Sequence, residues 1–334
     1  MIRPSIQPDE LLAGYWPRVA RWNGFELTSN PTNSKQQFLA QKSAHIYGAT
    51  NIRRLAGIAG MSVQELVRQH SMLPFSSSFL STEKKTQAWS DRNFDDAGFA
   101  SIAIKSNSGD PAFLCTHCIE EDVNTHGFSF WRRKHQLPGA YWCMTHECTL
   151  RLQPGPAHVS MLRSPDFHFY SGSTTSPLCG TGIVLSSEIR RVIKIQTRLL
   201  SLSKPLARER IHYLVRRKAA EPRFRQITYD RRKLLSELVQ KKFGKKWVEL
   251  AYPKAFNEPF SYRWRTIDQP LHYNNGIAPI GYSIVFAALW ESADEAFRLM
   301  NAADVPAPKS WDLRLNNPDK RALKNFPIHS RPRH

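Results

Sequence analysis

The chain has 334 residues with 41% apolar composition, so it can bury a sizeable core, and its length suggests two or three domains. Its formal net charge of +19 favours a polyanionic partner, and nucleic acid fits better than a membrane. The longest apolar stretch, residues 277–290, is shorter than the ~20 residues of a spanning helix, and the N-terminus lacks a secretory signal, so we expect a cytoplasmic protein without a membrane partner.

The first predicted element is an amphipathic helix. Apolar residues recur at helical spacing between residues 8 and 25, and the pattern ends near Asn23 and Gly24. Pro17 lies inside this pattern and predicts a kink or an interruption. We interpret the segment as mostly scaffold.

A helix-turn-helix pattern follows over residues 51–71. A short helix precedes Gly60, and Ser62 with Glu65 forms a capping box that opens a second helix over residues 63–70. Three arginines of the pattern are placed to meet DNA phosphates: Arg53, Arg54 and Arg68. The alternative is a packed helical hairpin without a DNA role, because such hairpins are common in α-helical domains.

Loop-like stretches divide the chain. Residues 75–81 and 105–111 precede a cysteine-bearing block, and residues 153–158 and 171–180 follow it. We predict a mainly α fold in four parts: an N-terminal helical, helix-turn-helix-like domain over 1–104, a central zinc-finger module over 105–180, a basic helical DNA-binding domain over 181–315, and a basic tail over 316–334.

Four further helices are predicted over residues 187–201, 206–218, 229–243 and 280–299. Residues 186–246 carry most of the excess positive charge, spread around helix faces in a way that suits phosphates better than bases. The candidate phosphate contacts are Arg190, Arg191, Arg216, Arg217, Arg231, Arg232 and Lys233. A solvated helical face that binds nothing is the alternative.

Two pairs of metal-binding residue types are separated by 24 residues: Cys115 with Cys118, and Cys143 with His146. Within each pair two residues separate the ligands, a spacing that lets one tight turn direct both side chains at a single ion. Three cysteines and one histidine complete a tetrahedral zinc shell without an open position for a reactive water. The spacing therefore predicts one structural zinc ion that stabilises the fold.

Other residues compete for these roles. Cys115 and Cys118 also form a redox motif, although the βαβ pattern of a thioredoxin-like centre is missing. Substitute ligands are His126 and His135 in place of His146, and Cys148 in place of Cys143. His117 lies between the first two cysteines, where it has difficulty reaching the same ion, and Cys179 is interpreted as an ordinary thiol.

Motifs of common enzyme classes are missing from the sequence. There is no phosphate-binding loop, no serine nucleophile elbow and no zinc-protease helix. A zinc-stapled nuclease in which His135 or His146 activates water would need another metal-binding residue at short spacing, and none is evident. We therefore predict a binding protein without a catalytic centre.

The cysteine block contains a longer pattern. The sequence W-R-x-x-H-Q-L-P stands between the two pairs, at Trp131, Arg132, His135, Gln136, Leu137 and Pro138. Together with the four ligand positions, this pattern resembles the TniQ/TnsD family of target-selection proteins from multi-component DNA transposons. Thr116 and Met144 replace turn prolines of the family, and Glu147 replaces its usual glycine. Residues 8–24 and 65–74 are also similar to family segments, so the resemblance covers about the first half of the chain.

The resemblance implies a short or truncated TnsD-like protein that works at the bacterial nucleoid. One surface would select the target by binding attachment-site DNA, and another would recruit a TnsC-type AAA+ ATPase, which brings in the transposase. Family resemblance places the ATPase contact in the N-terminal region, Pro4 to Trp22. The alternative is an adaptor that links an RNA-guided CRISPR effector of the Cascade type to the transposition machinery. The high net charge favours the DNA-binding version.

Overall fold

The predicted fold class is confirmed: the described chain is mainly α-helical and includes two sheets of two strands each. The computed structural model describes residues 2–24, 49–81, 111–155, 160–172, 174–224, 235–256, 265–272 and 276–302. Residues 1–301 form one compact unit. The predicted boundary at 104–105, the tail at 316–334 and the candidates Arg231, Arg232 and Lys233 lie outside the described residues.

Helix α1 spans Leu12–Trp22, within the predicted range. The helix is not interrupted at Pro17, although a proline in a helix interior removes one backbone hydrogen bond. Burial of Leu12, Tyr15 and Val19 in a common apolar cluster with the next two helices offsets this loss.

The predicted helix-turn-helix is present as a helical hairpin of α2, Ala49–Ala59, and α3, Val63–His70. Gly60 adopts the left-handed conformation that ends α2, with φ +70°. The capping box is formed in both directions: Ser62 Oγ accepts from the Glu65 amide at 3.1 Å, and the Ser62 amide donates to the Glu65 carboxylate at 3.0 Å. Local sequence therefore defines this turn completely.

The loop predicted over residues 75–81 is wrong in part. The segment begins in a short helix α4, Leu73–Ser76, and ends in strand β1, Phe79–Leu80. This strand pairs in parallel with β4, Leu206–Ala207. The partner strand lies far along the chain, so the local composition gives no signal of the pairing.

Residues 111–153 form a small module at the centre of the chain. Its elements are strand β2, Ala112–Leu114, helix α5, Thr116–His126, a 3-10 turn, Arg133–Gln136, and strand β3, Arg151–Gln153, which pairs antiparallel with β2. Helix α6, Pro165–Tyr170, packs against α5. This module lies within the region 105–180 of the predicted zinc-finger module.

The C-terminal helices surround one buried helix, α12. In chain order they are α7 Ser187–Leu199, α8 Arg208–Ala219, α9 Leu235–Phe243, α10 Lys245–Ala251, α11 Arg265–His272, α12 Pro279–Leu289 and α13 Ala293–Asn301, with 3-10 turns at Pro222–Phe224 and Pro253–Phe256. Every α12 residue from Ile280 to Leu289 is buried, as an almost continuous apolar run requires. Within the described ranges no helix is long and apolar enough to cross a membrane.

The single helix predicted over residues 280–299 is wrong, because the chain leaves the helical conformation at Trp290. Ser292 Oγ then accepts from the amides of Asp294 and Glu295 at 3.2 and 3.3 Å, which starts α13. A serine followed by acidic residues is a helix-start signal. The apolar residues keep a helical spacing across this start signal, so their periodicity alone predicts one continuous helix.

The N-terminal segment is hydrogen-bonded to the central module. The Leu11 amide donates to the Trp131 carbonyl at 2.7 Å, and the Arg133 amide donates to the Asp9 carbonyl at 2.9 Å. The Arg133 guanidinium also donates to the carbonyl of Ser71, just beyond α3. Residues 131–133 therefore join α1 and the helical hairpin to the central module.

A buried ion pair stabilises the same junction. Arg18 donates to both carboxylate oxygens of Glu10, at 3.0 and 2.6 Å, and the two side chains are only 3% and 1% exposed. The Arg18 guanidinium also lies 4.5 Å from the centre of the Phe128 ring. Burial raises the pKa of Glu10, and the contact with Arg18 opposes that rise.

Candidate metal centre

Four side chains converge on one point in the central module: Cys115, Cys118, Cys143 and His146. Their ligand atoms all lie within 4.8 Å of one another, and the three cysteines are buried. The His146 Nδ1 atom is 3.5, 3.4 and 3.5 Å from the three sulfurs in that order. The structure thus brings together the four positions predicted from the spacing, and this tetrad could hold a metal ion.

The first pair of ligands is positioned by the end of β2 and the start of α5. Cys115 is the extended residue that caps α5, and Cys118 lies in its first turn. A strand followed by a helix also matches the local setting of a redox Cys-x-x-Cys motif. Here, however, β2 pairs antiparallel with β3 in a two-stranded ribbon, and both cysteines lie against the second ligand pair.

The second pair lies in a tight turn between Trp142 and Thr149, which are paired as an isolated bridge. The Cys143 amide donates to the Cys148 carbonyl at 2.9 Å and closes the turn. Glu147 has a left-handed φ of +52°. The resembled family usually has glycine at this position. Glycine adopts a left-handed φ without the steric cost that a glutamate has there.

The ring of His146 is oriented by a carboxylate. Glu121 Oε1 is 2.9 Å from His146 Nε2, on the opposite side of the ring from the sulfurs. This hydrogen bond raises the pKa of His146. With the Nε2 proton directed at Glu121, the Nδ1 lone pair is left for a metal.

Two further groups of the W-R-x-x-H-Q-L-P pattern lie around Cys118. His135 Nε2 is 4.0 Å from its sulfur, and the Arg132 guanidinium donates to Asp122, one turn along α5, at 2.6 Å. Burial raises the pKa of Asp122 to about 6, although Arg132 opposes the shift. Hydrogen bonds from the Cys115 and Cys118 thiols lower the pKa of Cys143, and the thiolate is the form that binds metal.

Gln136 holds β2 in place through its side-chain amide. Its Oε1 atom accepts from the Phe113 amide at 3.0 Å, and its Nε2 atom donates to the Phe113 carbonyl at 2.7 Å. The side chain thereby acts as a third strand for β2, two residues before Cys115. The sequence analysis names Gln136 only as part of a pattern and gives no role to Glu121, because the supporting roles of both depend on contacts that spacing does not reveal.

The structure places the candidate substitute ligands at different distances from the tetrad. His126 is exposed at the end of α5 beside the Phe128 ring, and Cys179 is exposed outside the cluster. His135 lies at the edge of the tetrad, as given above. Cys148 is the nearest competitor, because its sulfur is 3.5 Å from that of Cys115.

The DNA-contact candidates of the helical hairpin differ in exposure. Arg53 and Arg54 are exposed on α2, and Arg68 is half-buried on α3. The Arg68 carbonyl accepts a hydrogen bond from Arg133 at 3.0 Å, which fixes the end of α3 to the central module.

The candidates of the basic helices fall into two groups. Arg191 donates to the carbonyls of Ala287 and Trp290 at 2.6 and 2.9 Å, and Arg216 donates to the Pro270 carbonyl at 3.0 Å. Burial lowers the pKa of Arg216. These two guanidinium groups support the ends of α12 and α11. Arg190 pairs with Glu147 and remains partly exposed, and Arg217 is exposed.

Fold and site together define a class: a mainly helical protein built around a Cys₃His cluster that could hold a metal ion. The family model of TniQ matches residues 1–150, which contain α1, the helical hairpin and the whole tetrad. The match confirms the TniQ/TnsD resemblance over these 150 of the chain's 334 residues. A comparison with curated proteins finds none that matches the chain.

Proposed function

We propose that the tetrad holds one structural zinc ion. Zinc bonds of about 2.3 Å to sulfur and about 2.0–2.1 Å to nitrogen, at tetrahedral angles, place two sulfurs about 3.8 Å apart and a sulfur and a nitrogen about 3.6 Å apart. The Cys118 and Cys143 sulfurs are 3.8 Å apart, and the sulfur-to-His146 distances are 3.4 to 3.5 Å. The spacing of these ligand atoms therefore fits a bound zinc ion.

The surroundings of the tetrad also suit zinc. Three thiolates around a dication carry a net charge of about −1. The Arg132 guanidinium and the His135 ring lie on the Cys118 side, where a positive charge or an N–H donor stabilises the thiolate. Glu121 fixes the tautomer of His146, as carboxylates do for many zinc-bound histidines.

The metal content of the purified protein tests this proposal. We expect close to one zinc per chain, and loss of that zinc in Cys118→Ser. Cys179→Ser is the matched control, because it removes an exposed thiol outside the tetrad. A zinc-free wild-type protein, or zinc retained in Cys118→Ser, would refute the assignment.

We further propose that the protein selects the target site of a DNA transposon. The observation that carries this proposal is the TniQ match over residues 1–150. A helical hairpin with exposed Arg53 and Arg54, and a net charge of +19, support binding of duplex DNA. The proposed phosphate contacts among the described residues are Arg53, Arg54, Arg68, Arg190 and Arg217. Arg191 and Arg216 serve the fold, since their guanidinium groups donate to helix-end carbonyls.

Recruitment of a TnsC-type AAA+ ATPase completes the proposed function. The N-terminal segment 4–22 was the expected contact by resemblance, but most of α1 is buried. Its exposed apolar groups are Trp22 and, just before the segment, Ile2, which are 42% and 55% exposed. A docked ATPase would therefore use these two side chains and not the buried face of α1.

Selection of random duplexes at two salt concentrations tests DNA recognition. A target selector enriches one sequence motif and binds with a steep salt dependence. Weak binding without a motif would instead favour the adaptor that borrows its specificity from a CRISPR effector complex.

A pair of double variants tests the hairpin. Replacing both Arg53 and Arg54 with alanine should lower the salt slope of DNA binding by about 2, because each phosphate contact contributes about 0.9. The matched control replaces both with lysine, which keeps the charge and should keep the slope. An alanine variant with an unchanged slope would remove the hairpin from the proposed DNA surface.

A further inference from the structure

A second group of donor atoms lies on the outer side of the tetrad. The Cys115 sulfur, a ring nitrogen of His117 and the Cys148 sulfur all lie within 4.8 Å of one another. Cys115 belongs to both groups. Neither His117 nor Cys148 has a role in the four-ligand shell, so the structure gives them no task within the proposed zinc site.

The distances in this outer group suit a metal bridge. The Cys148 and Cys115 sulfurs are 3.5 Å apart, close to the about 3.8 Å that separates two sulfurs on one tetrahedral ion. The backbone of Cys148 is fixed by the Cys143 amide at 2.9 Å. The ring of His117 stacks beside that of His146, with ring centres 5.3 Å apart, so the two imidazoles are neighbours.

Exposure distinguishes the two groups. The tetrad has three buried cysteines, whereas His117 is exposed and Cys148 is half-buried. An ion in the outer group would therefore have three protein ligands and complete its shell with water. Such a site binds more weakly than a closed four-ligand site and exchanges its ion more readily.

Electrostatics favours a second cation at this place. The proposed zinc tetrad carries a net charge of about −1, and the exposed carboxylate of Glu121 adds a further negative charge beside His146. A second dication bound with the Cys148 thiolate brings the charge of the two ions and four thiolates to zero. Attraction between charges a few ångströms apart is strong where water is partly excluded.

We propose that Cys115, His117 and Cys148 form a second, outer site for a thiophilic dication such as Zn²⁺, with the Cys115 thiolate bridging it to the ion of the tetrad. This inference rests on the proposed zinc tetrad, since the bridge requires an occupied inner site. The outer site is the solvent-facing end of the cluster, since His117 is exposed and Cys148 is half-buried.

Titration of the metal-free protein with Cd²⁺ tests the proposal, because Cd²⁺ binds thiolates strongly and reports them by ultraviolet absorbance and cadmium NMR. We expect two bound equivalents in the wild type, with two cadmium resonances, of which the second appears only after the first is saturated. Cys148→Ser and His117→Ala should lose the second equivalent and keep the first. Cys179→Ser, the control for an exposed thiol elsewhere, should keep both.

The possible results separate the two proposals. A wild type that stops at one equivalent would overturn the outer site and leave the tetrad intact. A second equivalent that survives in Cys148→Ser and His117→Ala would also overturn it, because the ion would then lie elsewhere. A first equivalent that survives in Cys118→Ser would instead refute the tetrad. Retention of the first equivalent in Cys148→Ser shows that this variant is folded.

Discussion

Replacing Gly139 with alanine should lower the free energy of unfolding by about 2–5 kcal/mol, from two separate causes. Gly139 has a left-handed φ of +74°, which costs a non-glycine residue about 1–2 kcal/mol. A Cβ atom built on Gly139 would also lie 2.6 Å from Cβ of Ala251 and 3.3 Å from Cζ2 of Trp247. Overpacking of this kind costs about 1–3 kcal/mol.

Gly60 provides a matched control, because it has nearly the same φ, +70°, and no heavy atom within 4 Å of an added Cβ. Gly60→Ala should therefore show only the backbone cost, and urea unfolding of both variants measures the difference. In an Ala251→Gly background the main contact is removed, and Gly139→Ala should then cost about as much as Gly60→Ala. The packing argument fails if Gly139→Ala is no worse than Gly60→Ala, or if Ala251→Gly does not reduce its cost.

Three further predictions concern the metal centre and the core. In an Arg190→Ala background the mostly exposed ion pair between Arg190 and Glu147 no longer contributes to stability. Glu147→Gly should then raise the free energy of unfolding by about 0.5–1 kcal/mol, because glycine adopts the left-handed φ of this position without strain. An equal or lower free energy of unfolding would exclude strain at Glu147. Glu121→Ala should weaken zinc binding about 10-fold or more in competition with a chelator, because His146 loses the group that orients it. Burial lowers the pKa of His212 to about 4 in the folded protein, whereas a histidine of the unfolded chain has a pKa of about 6.5. As pH falls below about 6.5 the unfolded chain binds this proton first, so wild-type stability should drop by about 3 kcal/mol between pH 6.5 and 4. His212→Gln should show a flatter pH profile, and an identical profile would place the effect elsewhere.

Features that depend on residues close together in the sequence were predictable. The turn between α2 and α3 follows from Gly60 and a capping box that spans four residues, and it appears as predicted. The metal tetrad also follows from spacing within two short turns, although its two halves are separated by 24 residues. In both cases the chemistry of the side chains leaves few alternative partners.

Features that depend on distant contacts were not predictable. The pairing of β1 with β4 joins two-residue strands with no periodicity to detect. Arg191 lies in the basic stretch that predicts phosphate contacts. Its guanidinium nevertheless donates to carbonyls at the end of α12, because that helix ends nearby in space. Charge runs alone cannot distinguish an arginine that binds carbonyls from one that faces solvent.

The hydrogen bond between the Leu11 amide and the Trp131 carbonyl has a consequence for synthesis on the ribosome. The two residues are 120 positions apart, and at about 5–20 residues per second the partner of α1 is made about 6–24 s after α1 itself. Until then the Leu11 amide and the Arg18 guanidinium lack their contacts with Trp131 and Phe128. Helix α1 can therefore pack against the hairpin well before it reaches its contacts with the central module, so the junction between them forms only after residues 128–133 are made.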